Sequence, residues 1–150
     1  MNVTRGSFSI STEKSRLDHG VIHDYLSRSS YWAKCIPREI VDRSIEGSIC
    51  FGIYDGDAQV GFARVISDRA TFAYVCDVFV LESCRGHGLG IWLMEVIRSH
   101  PDLQGLRKWV LTTRDAHGLY RKSGFREVED PVRYMEILDR QIYERKQGKA

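Results

Sequence analysis

The chain has 150 residues, 43% of them hydrophobic and 28% charged, with a formal net charge of +2. That length holds one domain with a sizeable core, and the composition is that of a globular protein rather than a disordered or fibrous one. The small net charge gives no pull towards nucleic acid or an anionic membrane, and no apolar run approaches the roughly 20 residues that a spanning helix needs.

The N-terminal stretch "MNVTRGSFSISTEK" has no apolar signal-peptide core, so a cytoplasmic location is expected. Cys35, Cys50, Cys76 and Cys84 form no CxxC pair and no zinc-ligand spacing, which predicts thiols in a reducing compartment and no metal site. In chain order, "FSI" (Phe8 to Ile10) predicts a first strand, with Ser11 or Thr12 capping a helix whose apolar residues are Leu17, Val21, Tyr25 and Leu26. "PREIVDRSIE" predicts a second helix, opened by Pro37 and closed by Gly47. "SICFGIYDGDAQVGFARVIS" predicts two strands joined at Asp55-Gly56-Asp57, and "ATFAYVCDVFVL" a third, making a meander.

A further helix follows, with Leu89, Leu93, Val96, Ile97 and His100 on one face, and Pro101 stops it. "RKWVLTT" predicts a strand and "RDAHGLYRKSG" a short helix capped by Gly124. "FREVE" and "VRYMEIL" alternate as a final hairpin would, and 139–150 is a charged, helical tail. The order β-α-α-β-β-β-α-β-α-β-β predicts an α+β fold with one mainly antiparallel sheet flanked by helices. One domain spans 1–150, with its core at about 6–138.

Gly86, Gly88 and Gly90 lie between a strand end and a helix start. A helix N-terminus offers unpaired N–H groups and partial positive charge, and glycine lets a bulky anion approach them. Arg85 adds a guanidinium for the same phosphate. The P-loop needs a Lys-Ser or Lys-Thr that is missing here, and the dinucleotide fingerprint needs GxGxxG in an early βαβ unit. The spacing in this chain is GxGxG, after a meander.

That spacing resembles the GNAT superfamily of N-acetyltransferases. Their [QR]xxGxG/A signature is similar to Arg85-Gly86-His87-Gly88-Leu89-Gly90, and their AxxxYxxxGF signature to Ala116, Tyr120, Gly124 and Phe125. The resemblance covers roughly Gly6 to Leu138. It implies a splayed pair of parallel strands that binds acetyl-CoA. Backbone groups of Val78, Phe79 and Val80 would hold the pantetheine arm, and the loop from Gly86 through His87, Gly88, Leu89 and Gly90 to Ile91 the pyrophosphate. It implies Tyr120 as the general acid on the leaving thiolate, a role that a phenol with pKa about 10 suits. Many relatives carry proline where Glu82 stands and asparagine where Thr113 stands; Thr113 is the substitute for a cofactor-side hydrogen bond.

The base stays open among Asp77, Glu82, His117 and water. Asp77 is a carboxylate inside an apolar strand, and such a group needs a reason. It would take the proton of the acceptor amine or bind its ammonium. Tyr31 and Trp32 are candidates to wall the acceptor pocket, since a cation favours aromatic faces, and Tyr74 and Tyr54 are candidates beside them. The resemblance therefore implies direct transfer from acetyl-CoA to a primary amine of a small molecule or peptide. The alternative is a non-catalytic acyl-CoA-binding module or sensor. No metal, nucleic acid or membrane is expected as a partner, and homodimers are frequent in the family.

Overall fold

The computed structural model describes residues 1–148. Its sheet runs, in spatial order, β1 (Asn2–Arg5), β2 (Phe8–Ser11), β3 (Ile49–Asp55), β4 (Ala58–Ser67), β5 (Phe72–Val80) and β6 (Lys108–Val110). Neighbours are antiparallel except β5 and β6, which are parallel. The helices are α1 (His19–Asp24), α2 (Arg38–Glu46), α3 (Leu89–Ser99), α4 (His117–Lys122) and α5 (Ile142–Gln147). The α+β class with a mixed, mainly antiparallel sheet is thus what the chain adopts.

Both faces of the sheet are covered. One core joins Phe51, Ile53, Val65 and Val75 to Leu93, Met94 and Ile97 of α3 and Tyr120 of α4. The other joins Cys50, Phe62 and Phe79 to Ile22 of α1, Leu26, and Val41 and Ile45 of α2. Alternation sends neighbours such as Cys50 and Phe51 to opposite cores. It also explains why β3 is buried from Ile49 to Tyr54 and reads as a continuous apolar run. In α3, Leu89, Trp92, Leu93, Met94, Val96 and Ile97 are buried, each worth about 1.5–3 kcal/mol of transfer free energy.

Three expectations need correction. β1 precedes the expected first strand and pairs with it through Val3↔Ile10; the turn needs Gly6, whose φ is +62°. The first helix is capped by Asp18, whose carboxylate accepts from the Val21 N–H at 3.0 Å, and not by Ser11 or Thr12. Ser11 belongs to β2, and a 3-10 turn at Lys14–Arg16 intervenes. The final hairpin is absent among the described residues. Asp130 and Pro131 lead into a 3-10 turn at Pro131–Arg133, and Pro131 supplies no N–H for a tight strand turn. Residues 134–140 form no strand. The charged tail does form a helix, α5, and its Tyr143 packs against the second core; residues 149–150 lie outside the described chain.

Candidate active site

The site is set by where β5 and β6 part. They pair only through Phe72↔Lys108, Ala73↔Trp109 and Tyr74↔Val110, after which β5 continues to Val80 and the chain beyond β6 diverges from it. The divergence coincides with a bulge. On β4, Phe62 faces Phe79 and Arg64 faces Cys76, so Asp77 and Val78 together oppose Ala63. Asp77 takes φ +54°, the left-handed conformation that a bulge uses and that aspartate tolerates better than most residues.

The Asp77 side chain holds that conformation in place. Its Oδ2 accepts from Arg64 Nε at 2.8 Å and its Oδ1 from Trp32 Nε1 at 2.9 Å. The ion pair is buried, with the two side chains 15% and 10% exposed. Arg64 Nη1 also donates to Ser48 Oγ at 2.9 Å. The carboxylate in an apolar strand therefore has a structural partner, and lone pairs remain on both oxygens.

Beyond the bulge the β5 side chains are core residues. Phe79 stacks on Tyr25, with ring centroids 3.9 Å apart, while Val78 and Val80 pack against the first core. At the end of β5 the chain turns through Gly86 (φ +85°) and Gly88 (φ +69°) into α3. These two glycines are needed for their backbone. Gly90 is not: its φ is ordinary, and a Cβ there would lie 3.4 Å from Leu119 of α4, so it serves helix packing. Trp92 is the first residue of the turn to donate back, to Gly88 O at 3.1 Å; the N–H groups of Leu89, Gly90 and Ile91 are left for a ligand. The Leu89 side chain is buried.

Two arginines meet this loop. Arg85 donates from Nε to Val80 O at 3.1 Å and from Nη2 to the Tyr25 hydroxyl at 3.3 Å, so it braces the loop against β5. Arg5, from β1, was not anticipated. Its Nη2 donates to His87 O at 3.4 Å, it lies over the Trp92 ring at 5.1 Å, and it would stand 3.3 Å from a Cβ on Gly88. A lone basic residue in a short N-terminal strand carries no motif, so only the fold reveals that cation. The His87 ring packs on Phe8, and its Nδ1 donates to Cys84 O at 3.1 Å. This glycine turn with its free N–H groups and adjacent guanidinium fits a diphosphate such as that of CoA.

Tyr120 of α4 is buried among α3 and the sheet, and burial pushes its phenol up to about 12, with Tyr31 and Asp115 adding to the shift. The Tyr31 hydroxyl accepts from Arg114 N at 2.9 Å, and the Arg114 guanidinium lies 3.9 Å from the Tyr31 ring centre. Tyr31 meets Trp32 edge to face at 5.0 Å. The loop that carries both is stiffened by Ser30, whose Oγ donates to Leu26 O and accepts from Ala33 N. Tyr74 reaches across the splay, its hydroxyl 3.3 Å from Thr112 Oγ1.

The fold thus brings Tyr31, Trp32 and Asp77 together, with Tyr74 on the same strand as Asp77. Tyr54 stands apart, buried under Arg16 at 4.1 Å. Thr113 Oγ1 accepts from Ala116 N at 3.0 Å, so it tethers the start of α4. Glu82 is exposed in a 3-10 turn. No cluster of metal-ligating side chains is present among the described residues.

Residues 46–127 match the family model of an acetyltransferase (GNAT) domain. The chain belongs to the GNAT acetyltransferase family. A candidate acetyltransferase of Gibberella zeae is 32% identical over 144 residues, spanning 81% of this chain and 80% of its own. A candidate GNAT acetyltransferase from Xanthomonas campestris pv. campestris, known from its crystal structure, is 48% identical. It superposes with a TM-score of 0.90 over 93% of this chain and 99% of its own. The structure of AAC(6')-Iy in complex with a bisubstrate analogue, CoA-S-monomethyl-acetylneamine, is 18% identical with a TM-score of 0.64 over 90% and 99% of the two chains, a likeness of fold alone. GNAT membership makes this chain an acyltransferase that draws on acyl-CoA. Among the described residues no helix is long and apolar enough to cross a membrane.

Proposed function

We propose that this GNAT protein transfers an acetyl group from acetyl-CoA directly to a primary amine of a small molecule or peptide. The observation that carries the reading is the parting of β5 from β6 after Tyr74↔Val110, on the strand that leads into the glycine turn with its unpaired Leu89, Gly90 and Ile91 N–H groups. Acetyl-CoA supplies the thioester. The N–H groups of Leu89, Gly90 and Ile91 hold the diphosphate, with Arg5 beside them and Arg85 bracing the turn. Backbone groups of Val78, Phe79 and Val80 hold the pantetheine arm as an added strand would, and Thr113 and His117 border the same end of α4.

Tyr120 donates its phenolic proton to the leaving sulfur. With its pKa at about 12 it stays protonated at neutral pH, so the proton is always available. Asp77 faces the acceptor side with Trp32 on one oxygen; its remaining lone pairs draw in the ammonium and receive its proton, directly or through water. Tyr31, Trp32 and Tyr74 wall that pocket, and their ring faces favour a cation. Cytoplasmic acetyl-CoA is the matching donor pool.

The test is thiol release from acetyl-CoA by the purified protein over a panel of amines, amino acids, polyamines and peptides, with calorimetric CoA binding in parallel. Amine-dependent release is expected. CoA binding without release for any acceptor would favour the acyl-CoA sensor instead. Gly88→Glu places a carboxylate where the diphosphate is assigned, and undiminished CoA affinity in that folded variant would remove the assignment.

A further inference from the structure

Arg114 stands on the loop that leads from β6 into α4, and that loop is tied twice to the aromatic wall of the acceptor pocket. The Arg114 backbone N–H donates to the Tyr31 hydroxyl at 2.9 Å. Two residues earlier, Thr112 Oγ1 lies 3.3 Å from the Tyr74 hydroxyl. A long exposed side chain is ordinarily free to swing, but this guanidinium lies over the Tyr31 ring, 3.9 Å from its centre. Among the described residues it makes no ion pair and no hydrogen bond, and the neighbouring Asp115 carboxylate does not pair with it. A stacked guanidinium keeps its in-plane N–H groups for a planar anion such as a carboxylate.

The opposite pole is Asp77. Its buried carboxylate accepts from Trp32 Nε1 at 2.9 Å, and Trp32 meets the Tyr31 ring edge to face at 5.0 Å. One hydrogen bond and two ring contacts thus connect the carboxylate at the floor to the guanidinium at the rim. Tyr31 also adds to the upward shift of the Tyr120 phenol, so the ring beneath Arg114 neighbours the reacting end. A pocket with a negative floor and a positive rim complements a zwitterion. A diamine would set its second ammonium against Arg114, a like-charge contact that works against binding.

We propose that Arg114 reads a carboxylate on the acceptor, so that the substrate is an amino acid whose amine sits at Asp77 and whose carboxylate sits at Arg114, across the Tyr31–Trp32 wall. The amine is the group acetylated, and the carboxylate leaves unchanged. The role of Asp77 as the amine's partner rests on the acetyl-transfer reading; the free guanidinium over Tyr31 does not.

Calorimetric titration of the full chain saturated with CoA, which carries no acetyl group, reads acceptor binding without turnover. The probes are glycine, β-alanine, γ-aminobutyrate and ε-aminocaproate, each beside its amide, together with putrescine. At least one acid is expected to bind about tenfold tighter than its amide, the lower end of what a hydrogen bond to a charged group contributes, with putrescine weaker still. The length of the best acid then measures the gap between the two poles. Arg114 is exposed, so Arg114→Gln should keep the circular dichroism spectrum and the CoA affinity while bringing acid and amide level. Arg114→Lys should keep part of the preference, because the charge stays and the planar fork is lost. Equal binding of acid and amide by the unaltered chain, a preference that survives Arg114→Gln, or no probe bound at millimolar concentration would each overturn the assignment. Thiol release from acetyl-CoA is read separately on the same probes. An Arg114-dependent preference without release upholds the carboxylate site and counts against acetyl transfer; release without the preference counts against Arg114 alone.

Discussion

β5 and β6 begin as partners and end in opposite conditions. β5 is paired to β4 along most of its length, and its opening towards β6 is made by a bulge that a buried ion pair holds. β6 spans only Lys108–Val110, and its opening on the far side exists because no neighbour is present. The difference separates two kinds of unpaired backbone. An edge exposed by a held bulge keeps its shape without a partner and suits a ligand that comes and goes. An edge exposed by a missing strand is a binding surface for polypeptide.

The largest expected effect lies at the residue between the two openings. Tyr120→Phe should lower kcat by about 10²–10⁴, the usual worth of a general acid, while the KM for acetyl-CoA and the unfolding midpoint change little. Unchanged kcat would leave Tyr120 as a core residue and nothing more. Next is the bulge. Asp77→Ala strands the Arg64 guanidinium in a buried place, and loss of one partner from such a pair costs about 3–5 kcal/mol. Asp77→Asn keeps a residue that accepts the left-handed backbone, so it should cost less, and urea unfolding of the two variants separates backbone from charge. Equal, small losses would mean that the bulge does not depend on the pair.

Much of this was legible in the residues. The meander, the glycine turn and the helix after it follow from local signals: a period of two, then positive-φ glycines, then a period near 3.6. Asp77 was visible as a carboxylate out of place, but its partner Arg64 lies on the next strand, and only register brings them together. Arg5 was invisible for the same reason, since 82 positions separate it from His87. The glycines looked alike in sequence yet divide by cause, two serving φ and Gly90 serving the approach of Leu119. "FREVE" and "VRYMEIL" carry a strand-like alternation, but alternation supplies no partner by itself, and these residues form no strand.

The smallest effect concerns β5 itself. Burial pushes the Cys76 thiol up to about 12 and the neighbouring Cys50 thiol up to about 11, against 9.0 for each in an exposed setting. Both shifts raise the folded value above the unfolded one. Their stabilisation is therefore whole only well below pH 9 and is lost as pH rises through 9 and beyond, because the unfolded chain then releases protons that the folded chain keeps. Each thiol should cost about 1 kcal/mol by pH 10, and the loss should continue through pH 11 and 12. Tyr120 adds a loss of the same sign above pH 10. Urea midpoints measured at pH 7.5, 9 and 10 should fall slightly over the first interval and more steeply over the last, and Cys50→Ala with Cys76→Ala should flatten that fall. β6 contributes no buried thiol, so an alkaline decline that survives both substitutions would have to start somewhere other than the centre of β5, and the view of β5 as the sealed member of the pair would fail.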